Sequence, residues 1–427
     1  MAISKLFSID IIRKHWSPLR RDAAETILAG VAGQAVLVVS GILVARALGP
    51  EKRGYLALLV IFPAILSQLG SLGLPQAATY FIAMNRDDAR VVYNQLKVPI
   101  LGQALVLVII HLVIVSLYVS HEPREVIMAG YLSLAVIPGM LAQQYGLAVL
   151  QGCQMYRPFN VMRLMPATMY AILILSIFLA QVAFLPSIAF VWVCSYVMVG
   201  LFTVYFATFK VLRLAENKNN TISPSLVQML KFGLKGLLGT TSPMQNFRID
   251  QLVAGLFLSP AALGFYVVGQ AFTNIVRFIA QSAGMVEYPA VAADANNNTA
   301  KQLIWRFFIG ISVMNGVIVL ALIVLMPILV IFFFGKAFSG SIPIARLLLL
   351  GAYFESLRRI LVEGMRGMGR PEVSTWAELS MYPLFVILAP ILINHYGLIG
   401  LAVAVILCYF LSLLVASLFF WFSKKSK

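Results

Sequence analysis

Residues 397–422 read GLIGLAVAVILCYFLSLLVASLFFWF, an apolar stretch without a single charged side chain. A helix of about 20 apolar residues is long enough to cross the hydrocarbon core of a bilayer. Similar stretches recur along the chain at 24–46, 54–84, 97–119, 125–151, 158–181, 184–208, 227–256, 261–287, 304–334, 341–366, 373–394 and 397–422. The pattern predicts an all-α integral membrane protein with about 12 transmembrane helices.

The composition excludes most other protein classes. The chain has 427 residues, of which 61% are hydrophobic and only 11% are charged. Soluble domains carry about 25% charged residues, so a soluble, disordered or singly anchored protein does not fit. Cys153, Cys194 and Cys408 show no paired spacing, and we expect no disulfide framework, metal site or cofactor.

The basic residues predict the orientation in the membrane. If the N-terminus is cytoplasmic and the spans alternate, 24 of the 32 Lys and Arg residues lie on the inner side and six on the outer side. Cytoplasmic loops of membrane proteins are enriched in Lys and Arg. Both termini are therefore expected in the cytoplasm. The net charge of +16 is explained in the same way, so we expect no nucleic-acid partner.

A polar connection divides the predicted spans into six and six. We expect a cytoplasmic N-terminal segment at 1–23, an N-lobe with helices 1–6 at 24–208, a cytoplasmic linker at 209–226, a C-lobe with helices 7–12 at 227–423 and a basic cytoplasmic tail at 424–427. Because six is an even number, two copies of the lobe would cross the membrane in the same direction. This predicts a parallel pseudo-two-fold repeat around a central cavity.

Two short motifs recur between the predicted lobes. Leu48-Gly49-Pro50 followed by Gly54 matches Leu258-Ser259-Pro260 followed by Gly264, at an offset of 210. Gly152 followed by Arg157-Pro158 matches Gly364 followed by Arg370-Pro371, at offsets of 212 to 213. Two echoes at nearly one offset indicate an internal repeat.

The eighth predicted span carries a polar face. Gln270, Asn274, Arg277 and Gln281 are spaced by four, three and four residues, which places them on one side of a helix. Arg277 lies about 24 Å along this helix from its start. Ionisable groups at such depth usually face a cavity or a partner. The alternative is an arginine whose long side chain reaches the inner interface.

Positive and amide side chains dominate the candidate pathway, which favours an anionic substrate, since arginine suits phosphate in particular. For some of these residues a structural interpretation stays open: Lys231 and Lys235 could cap the inner end of span seven, Arg46 could mark a boundary, and Arg248 could form an outer cap with Asp250. The predicted substrate-binding set is Arg277, Gln270, Asn274, Gln281, Lys231, Lys235, Arg46, Arg163, Gln245 and Arg248.

A second set is predicted to act in gating or coupling. Gly239 and Pro243 make span seven easy to bend. Glu355 and Arg359 have the i,i+4 spacing of a structural ion pair, whereas Glu378 stands as an isolated charge. The predicted gating and coupling set is Pro243, Gly239, Asp250, Arg358, Arg359, Glu363 and Glu378.

The segment 27–83 resembles the start of Wzx-type polysaccharide and O-antigen flippases. The matching features in this segment are ARALGPEKRGYLALL at 45–59 and LGSLGLPQAATYFIA at 69–83. The second predicted lobe agrees, with RIDQLVAGLFLSPAALGFYVVGQAF at 248–272. This resemblance implies alternating access between two six-helix lobes in the bacterial cytoplasmic (inner) membrane. The implied cargo is an undecaprenyl-diphosphate-linked oligosaccharide moved from the inner to the outer leaflet. Membrane lipids and other polysaccharide-assembly membrane proteins are the implied partners.

Relatives of the same superfamily leave alternatives open. A multidrug exporter would need Glu378 or Glu287 for ion coupling, and lipid II flippases typically have two further helices. A membrane-embedded transferase would have to use Asp87-Asp88 or His121-Glu122. The first pair lies in a short loop that links two helices, where solvated charges are ordinary, and the second is a lone histidine beside acids at a helix end. We expect that the protein is not an enzyme.

Overall fold

The chain folds into long helices in the computed structural model, which describes residues 18–86, 89–214, 224–240, 248–293 and 296–422. These residues form no strand. The helices are α1 (Pro18–Gly70), α2 (Leu74–Met84), α3 (Ala89–Val119), α4 (Arg124–Ser133), α5 (Val136–Gly152), α6 (Tyr156–Leu179), α7 (Leu185–Leu214), α8 (Leu226–Thr240), α9 (Ile249–Phe257), α10 (Pro260–Ala271), α11 (Thr273–Ala293), α12 (Asn297–Phe334), α13 (Ser341–Gly367), α14 (Glu372–Leu379) and α15 (Met381–Phe422).

Eight helical stretches of the described chain are long and apolar enough to cross a membrane. Two helices contain a break at a glycine with positive φ, Gly49 (φ 69°) in α1 and Gly397 (φ 55°) in α15. Glycine adopts this backbone region readily because it lacks a Cβ. Each break falls where the hydropathy pattern ends one span and begins another. The predicted all-α membrane fold is confirmed.

Two compact units make up the chain. Unit 1 comprises 1–41 and 63–238, and unit 2 comprises 42–62 and 239–427. The end of the first span and the start of the second therefore belong to unit 2, and most of α8 belongs to unit 1. These divisions differ from the lobe boundaries predicted at 24–208 and 227–423, which stay a prediction.

Glycines allow α5 and α7 to pack closely in unit 1. A Cβ on Gly139 would lie 2.8 Å from the carbonyl oxygen of Tyr196, and a Cβ on Gly146 would lie 2.8 Å from Cγ2 of Thr203. Gly200 in turn lies against the backbone of Gly139. Small residues let helix backbones approach in this way in membranes, where packing rather than water drives helix association.

The two copies of the Pro-Gly motif contact each other within unit 2. Gly54 lies against the carbonyl of Pro260, and Gly264 lies against the carbonyl of Pro50. The contact is reciprocal, since each copy supplies one glycine and one proline carbonyl. Ser259 caps α10 with its side-chain oxygen, which accepts a hydrogen bond from the Ala262 N–H at 3.3 Å. The repeated motif thus forms one contact between helix ends.

Candidate functional site

A buried glutamate is surrounded by arginines in unit 2. Glu355 on α13 has a side chain that is 0% exposed. Its carboxylate lies 3.3 Å from Nε of Arg359, 3.8 Å from Nη2 of Arg358 and 3.8 Å from Nε of Arg277 on α11. The predicted Glu355–Arg359 pair is confirmed, and the Glu355 carboxylate also forms ion pairs with Arg358 and Arg277.

Glu378 extends this network from α14. Its carboxylate lies 2.8 Å from Nη1 of the buried Arg358, so the expectation that Glu378 is an isolated charge is wrong. Twenty residues separate the two positions, and only the packing of α13 against α14 brings them together. The network of Arg277, Arg358, Arg359, Glu355 and Glu378, hereafter the arginine network, carries a surplus of one positive charge.

Arg277 combines burial with partial access. Nη2 donates a hydrogen bond of 3.3 Å to the Tyr409 hydroxyl on α15, and the guanidinium carbon lies 5.8 Å from the centre of that ring. The side chain remains 19% exposed. The sequence predicts a cavity or a partner for an arginine at this depth, and the structure supplies Glu355 as a partner. A deep arginine requires such a partner, because an unpaired charge costs several kcal/mol.

A second polar cluster surrounds Asp250 on α9. The Tyr266 hydroxyl donates to Asp250 Oδ2 at 2.7 Å, and the side-chain amide of Gln270 donates to the same oxygen at 3.1 Å. The side-chain amide of Gln251 donates in turn to Oε1 of Gln270. Gln270, predicted to bind substrate, is thus engaged in holding a buried carboxylate.

Gln281 lines a cavity of about 330 Å³ between α11 and α13. Its other lining residues are Gly284, Met285, Tyr288, Arg359 and Glu363. Glu363 is held by Arg366, with 3.1 Å between the carboxylate and Nη1. Asn274, predicted on the same helix face, is exposed. The predicted polar face of α11 therefore reaches both an open cavity and the arginine network.

Three other arginines of the predicted substrate-binding set lie outside the arginine network. Arg46 donates to the carbonyl of Phe333 at 2.8 Å and to that of Phe332, at the end of α12. This satisfies carbonyls that the helix end leaves free. Arg163 is exposed, 5.4 Å from the centre of the Phe159 ring. Arg248 is exposed with φ 47°, immediately before α9.

Span seven is described in part. Lys231 is exposed on α8, and Lys235 and Gly239 lie farther along the same helix. Pro243 and Gln245 lie outside the described residues. Their predicted roles in binding and bending stay predictions.

Sequence reasoning missed two tyrosines and a glutamine. Tyr409 stands within an apolar run where Ser412 is its one polar neighbour at helical spacing, and a serine there does not single out the tyrosine. Tyr266 follows Gly264 of the repeated motif by two residues and belongs to neither predicted set. Gln251 follows Asp250 directly, and its contact with Gln270 depends on the packing of α9 against α10.

The fold matches solved transporters. An inward-facing multidrug resistance MATE family transporter of the MOP superfamily matches with a TM-score of 0.70 and 16% identity, over 91% of this chain and 94% of that chain. Lipid II flippase MurJ in an inward closed conformation matches with a TM-score of 0.65 and 14% identity, over 92% and 86%. A MOP superfamily transporter from Pyrococcus furiosus Vc1 has a TM-score of 0.60 and 17% identity, over 93% of both chains.

Sequence comparisons identify a similar membrane protein and a protein family. An uncharacterized membrane protein of Methanocaldococcus jannaschii is 23% identical over 410 residues, covering 91% of this chain and 94% of that protein. Residues 19–294 match the family described as polysaccharide biosynthesis protein. This match spans well over half of the chain, all of the first predicted lobe and α8 to α11 of the second. The chain, with the fold of MOP superfamily transporters, belongs to the polysaccharide biosynthesis protein family.

Proposed function

We propose that this protein is a flippase that moves an undecaprenyl-diphosphate-linked oligosaccharide from the inner to the outer leaflet of the cytoplasmic membrane by alternating access. Family membership supports a role in polysaccharide assembly. The similarity in fold to the lipid II flippase supports a lipid-linked cargo. Both termini would be cytoplasmic, as the distribution of Lys and Arg predicts.

The exposure of the arginine network is the observation that carries this proposal. Arg277 and Arg359 have side chains that are 19% and 22% exposed, whereas their shared partner Glu355 is 0% exposed. The carboxylate thus lies behind the guanidinium groups and orients them, and the accessible side is positive. Arginine binds phosphate oxygens through paired N–H donors, which suits a diphosphate.

Neighbouring amides would complete recognition of the headgroup. Asn274 and Gln281 are exposed on the same helix as Arg277, and Gln281 lines the cavity that Arg359 also lines. Amide groups donate and accept hydrogen bonds, as sugar hydroxyls do. The prenyl chain would stay in the bilayer, since its apolar surface gains nothing from a polar cavity.

Translocation in proteoliposomes tests the proposal. The assay compares a fluorescent undecaprenyl-diphosphate oligosaccharide with the corresponding monophosphate lipid. We expect the protein to move the diphosphate lipid, and Arg277→Ala to reduce the rate roughly 10- to 100-fold, because hydrogen bonds to charged groups contribute about 1.5–3 kcal/mol. Arg277→Lys should retain part of the activity, since it keeps the charge without the paired donors.

Arg124→Ala is the matched control, because Arg124 is exposed at the start of α4 in unit 1. It should leave transport unchanged. Wild-type transport by Arg277→Ala protein that melts at the wild-type temperature would contradict the diphosphate site.

The buried carboxylates Asp250 and Glu355 favour a second candidate, the ion-coupled efflux of organic cations. A cationic dye in the same proteoliposomes decides between the two. Dye efflux under an ion gradient, with neither lipid transported, would replace the flippase proposal with this one.

A further inference from the structure

Glu287 on α11 is a buried carboxyl group without a hydrogen-bond partner. Its side chain is 0% exposed, and neither Oε1 nor Oε2 finds a partner among the described residues. Other buried acids of unit 2 differ in this respect, since Glu355 contacts arginines and Asp250 accepts from Tyr266 and Gln270. Neither the packing of unit 2 nor the proposed diphosphate site explains a glutamate here.

Two glycines make room for two carboxyl side chains between α11 and α13. A Cβ on Gly364 would lie 2.7 Å from Oε1 of Glu287, and a Cβ on Gly284 would lie 2.9 Å from Cγ of Glu363. Each glutamate thus lies against the glycine of the opposite helix. Ile304 of α12 closes the site, because a Cβ on Gly364 would lie 2.6 Å from its Cγ1. This reciprocal arrangement places Glu287 in a small pocket beside Gly364 and Ile304.

The charges around the pocket do not neutralise Glu287. From α13, Glu363 acts on it with a like charge and is itself bound by Arg366, while Arg359 is bound by Glu355. From α12, Lys301 donates to the Trp421 carbonyl at 3.3 Å, and Arg306 is exposed. On α11 itself the neighbours are Gln281 and Tyr288, which line the adjoining cavity.

A bare carboxylate is therefore disfavoured at Glu287. Burying an unpaired charge costs so much that such a group binds a proton instead. When two carboxyl groups interact, the proton stays with the one whose charge is less well solvated. Glu363 has an arginine partner and reaches the cavity, whereas Glu287 has neither advantage, so Glu287 takes the proton.

We propose that Glu287 is a proton-binding site of unit 2, loaded in the conformation described. Glu363, which lines the cavity, connects the site to water. The Glu287 carboxyl would release its proton when water reaches the space between α11 and α13, leaving a solvated carboxylate. The site does not depend on which substrate the protein transports.

Infrared spectroscopy of the full chain in lipid nanodiscs tests this proposal. At neutral pH the wild type should show a C=O stretching band of a protonated carboxyl group that shifts in heavy water and is lost in Glu287→Gln. Glu363→Gln removes the repulsive neighbour, so the band should then disappear at a lower pH than in the wild type. Glu372→Gln, which changes an exposed acid on α14, should leave the band unaltered.

The absence of this band in the wild type, or its persistence in Glu287→Gln, would overturn the proposal. The melting temperature provides a second measurement. Because glutamine resembles the protonated form in shape and charge, Glu287→Gln should melt at the wild-type temperature. A marked loss of stability would show that Glu287 acts as a structural anion. Neither result bears on lipid transport, so the flippase proposal can fail independently.

Discussion

The two copies of the second repeated motif place the same glycine against different partners. In unit 1, a Cβ on Gly152 would lie 2.8 Å from Cβ of Ile82 on α2. In unit 2, a Cβ on Gly364 would lie 2.7 Å from Oε1 of Glu287 on α11. Both glycines allow a close approach of two helices. The copy in unit 1 meets the isoleucine Ile82, whereas the copy in unit 2 meets an isoleucine, Ile304, and also a carboxyl group.

The two units differ in the side chains that they bury. Interior contacts of unit 1 join neutral groups, such as Ser133 with His111 at 2.9 Å and Tyr145 with Gln103 at 2.7 Å. Unit 2 holds the arginine network and Glu287. The repeated glycines thus allow close packing in both copies, and the charged networks described here lie in unit 2.

Removing the central carboxylate of unit 2 should have the largest effect. Glu355→Ala leaves the buried Arg358 and its neighbours short of one negative charge, and we expect a loss of about 3–5 kcal/mol in unfolding free energy. Thermal unfolding in nanodiscs measures it. Glu372→Ala breaks an exposed pair with Arg370 and should cost at most about 1 kcal/mol. Equal losses in both variants would refute a special role for the arginine network.

Filling the repeated glycine should have an intermediate effect in both units. Gly152→Ala brings a methyl group against Ile82 and the Thr79 carbonyl, and Gly364→Ala meets Ile304 and Glu287. We expect each to lower the unfolding free energy by about 1–3 kcal/mol. Gly102→Ala, where nothing lies within 4 Å, should be neutral or stabilising by up to about 1 kcal/mol.

If only one of the two glycine variants were destabilised, the repeat would not share its packing between the units. The same nanodisc melting curves decide this, because both substitutions add one methyl group at equivalent positions of the repeat.

Trimming the hydrocarbon partner in unit 1 should have the smallest effect. Ile82→Val removes one methylene from a fully buried side chain, and we expect a loss of about 0.5–1.5 kcal/mol. Val98→Ala, at a position that is 78% exposed, serves as the comparison and should cost less. A larger loss from Val98→Ala would mean that burial within unit 1 is not what stabilises the helix pair.

The sequence was sufficient to predict the fold class because each span is an apolar run that can be recognised locally. Apolar runs mark the helices, and glycines such as Gly49 and Gly397 mark where one span ends and another begins. The Glu355–Arg359 pair was also predictable, since it lies within one helix. The Arg358–Glu378 pair and the contact of Arg277 with Tyr409 were not, because they join separate helices whose packing no local spacing encodes.

The burial of Glu287 was likewise not predictable from the sequence, because it depends on packing between helices. Glu287 stands at the end of an apolar run, and the sequence offered it only as an ion-coupling residue of the multidrug-exporter alternative. Its burial depends on Gly364, a residue on another helix that simply lacks a side chain. A single sequence does not show which glycine makes room for a side chain on another helix.

The exchange of segments between the units has a consequence for biosynthesis. Residues 42–62 emerge early from the ribosome but belong to unit 2, whose remainder begins at 239. Unit 1 in turn includes the part of α8 up to 238, which is made after its other helices. A chain severed at the polar linker would therefore yield two fragments that each lack part of a unit. Each fragment should be unstable alone and should recover only when both are produced in the same membrane.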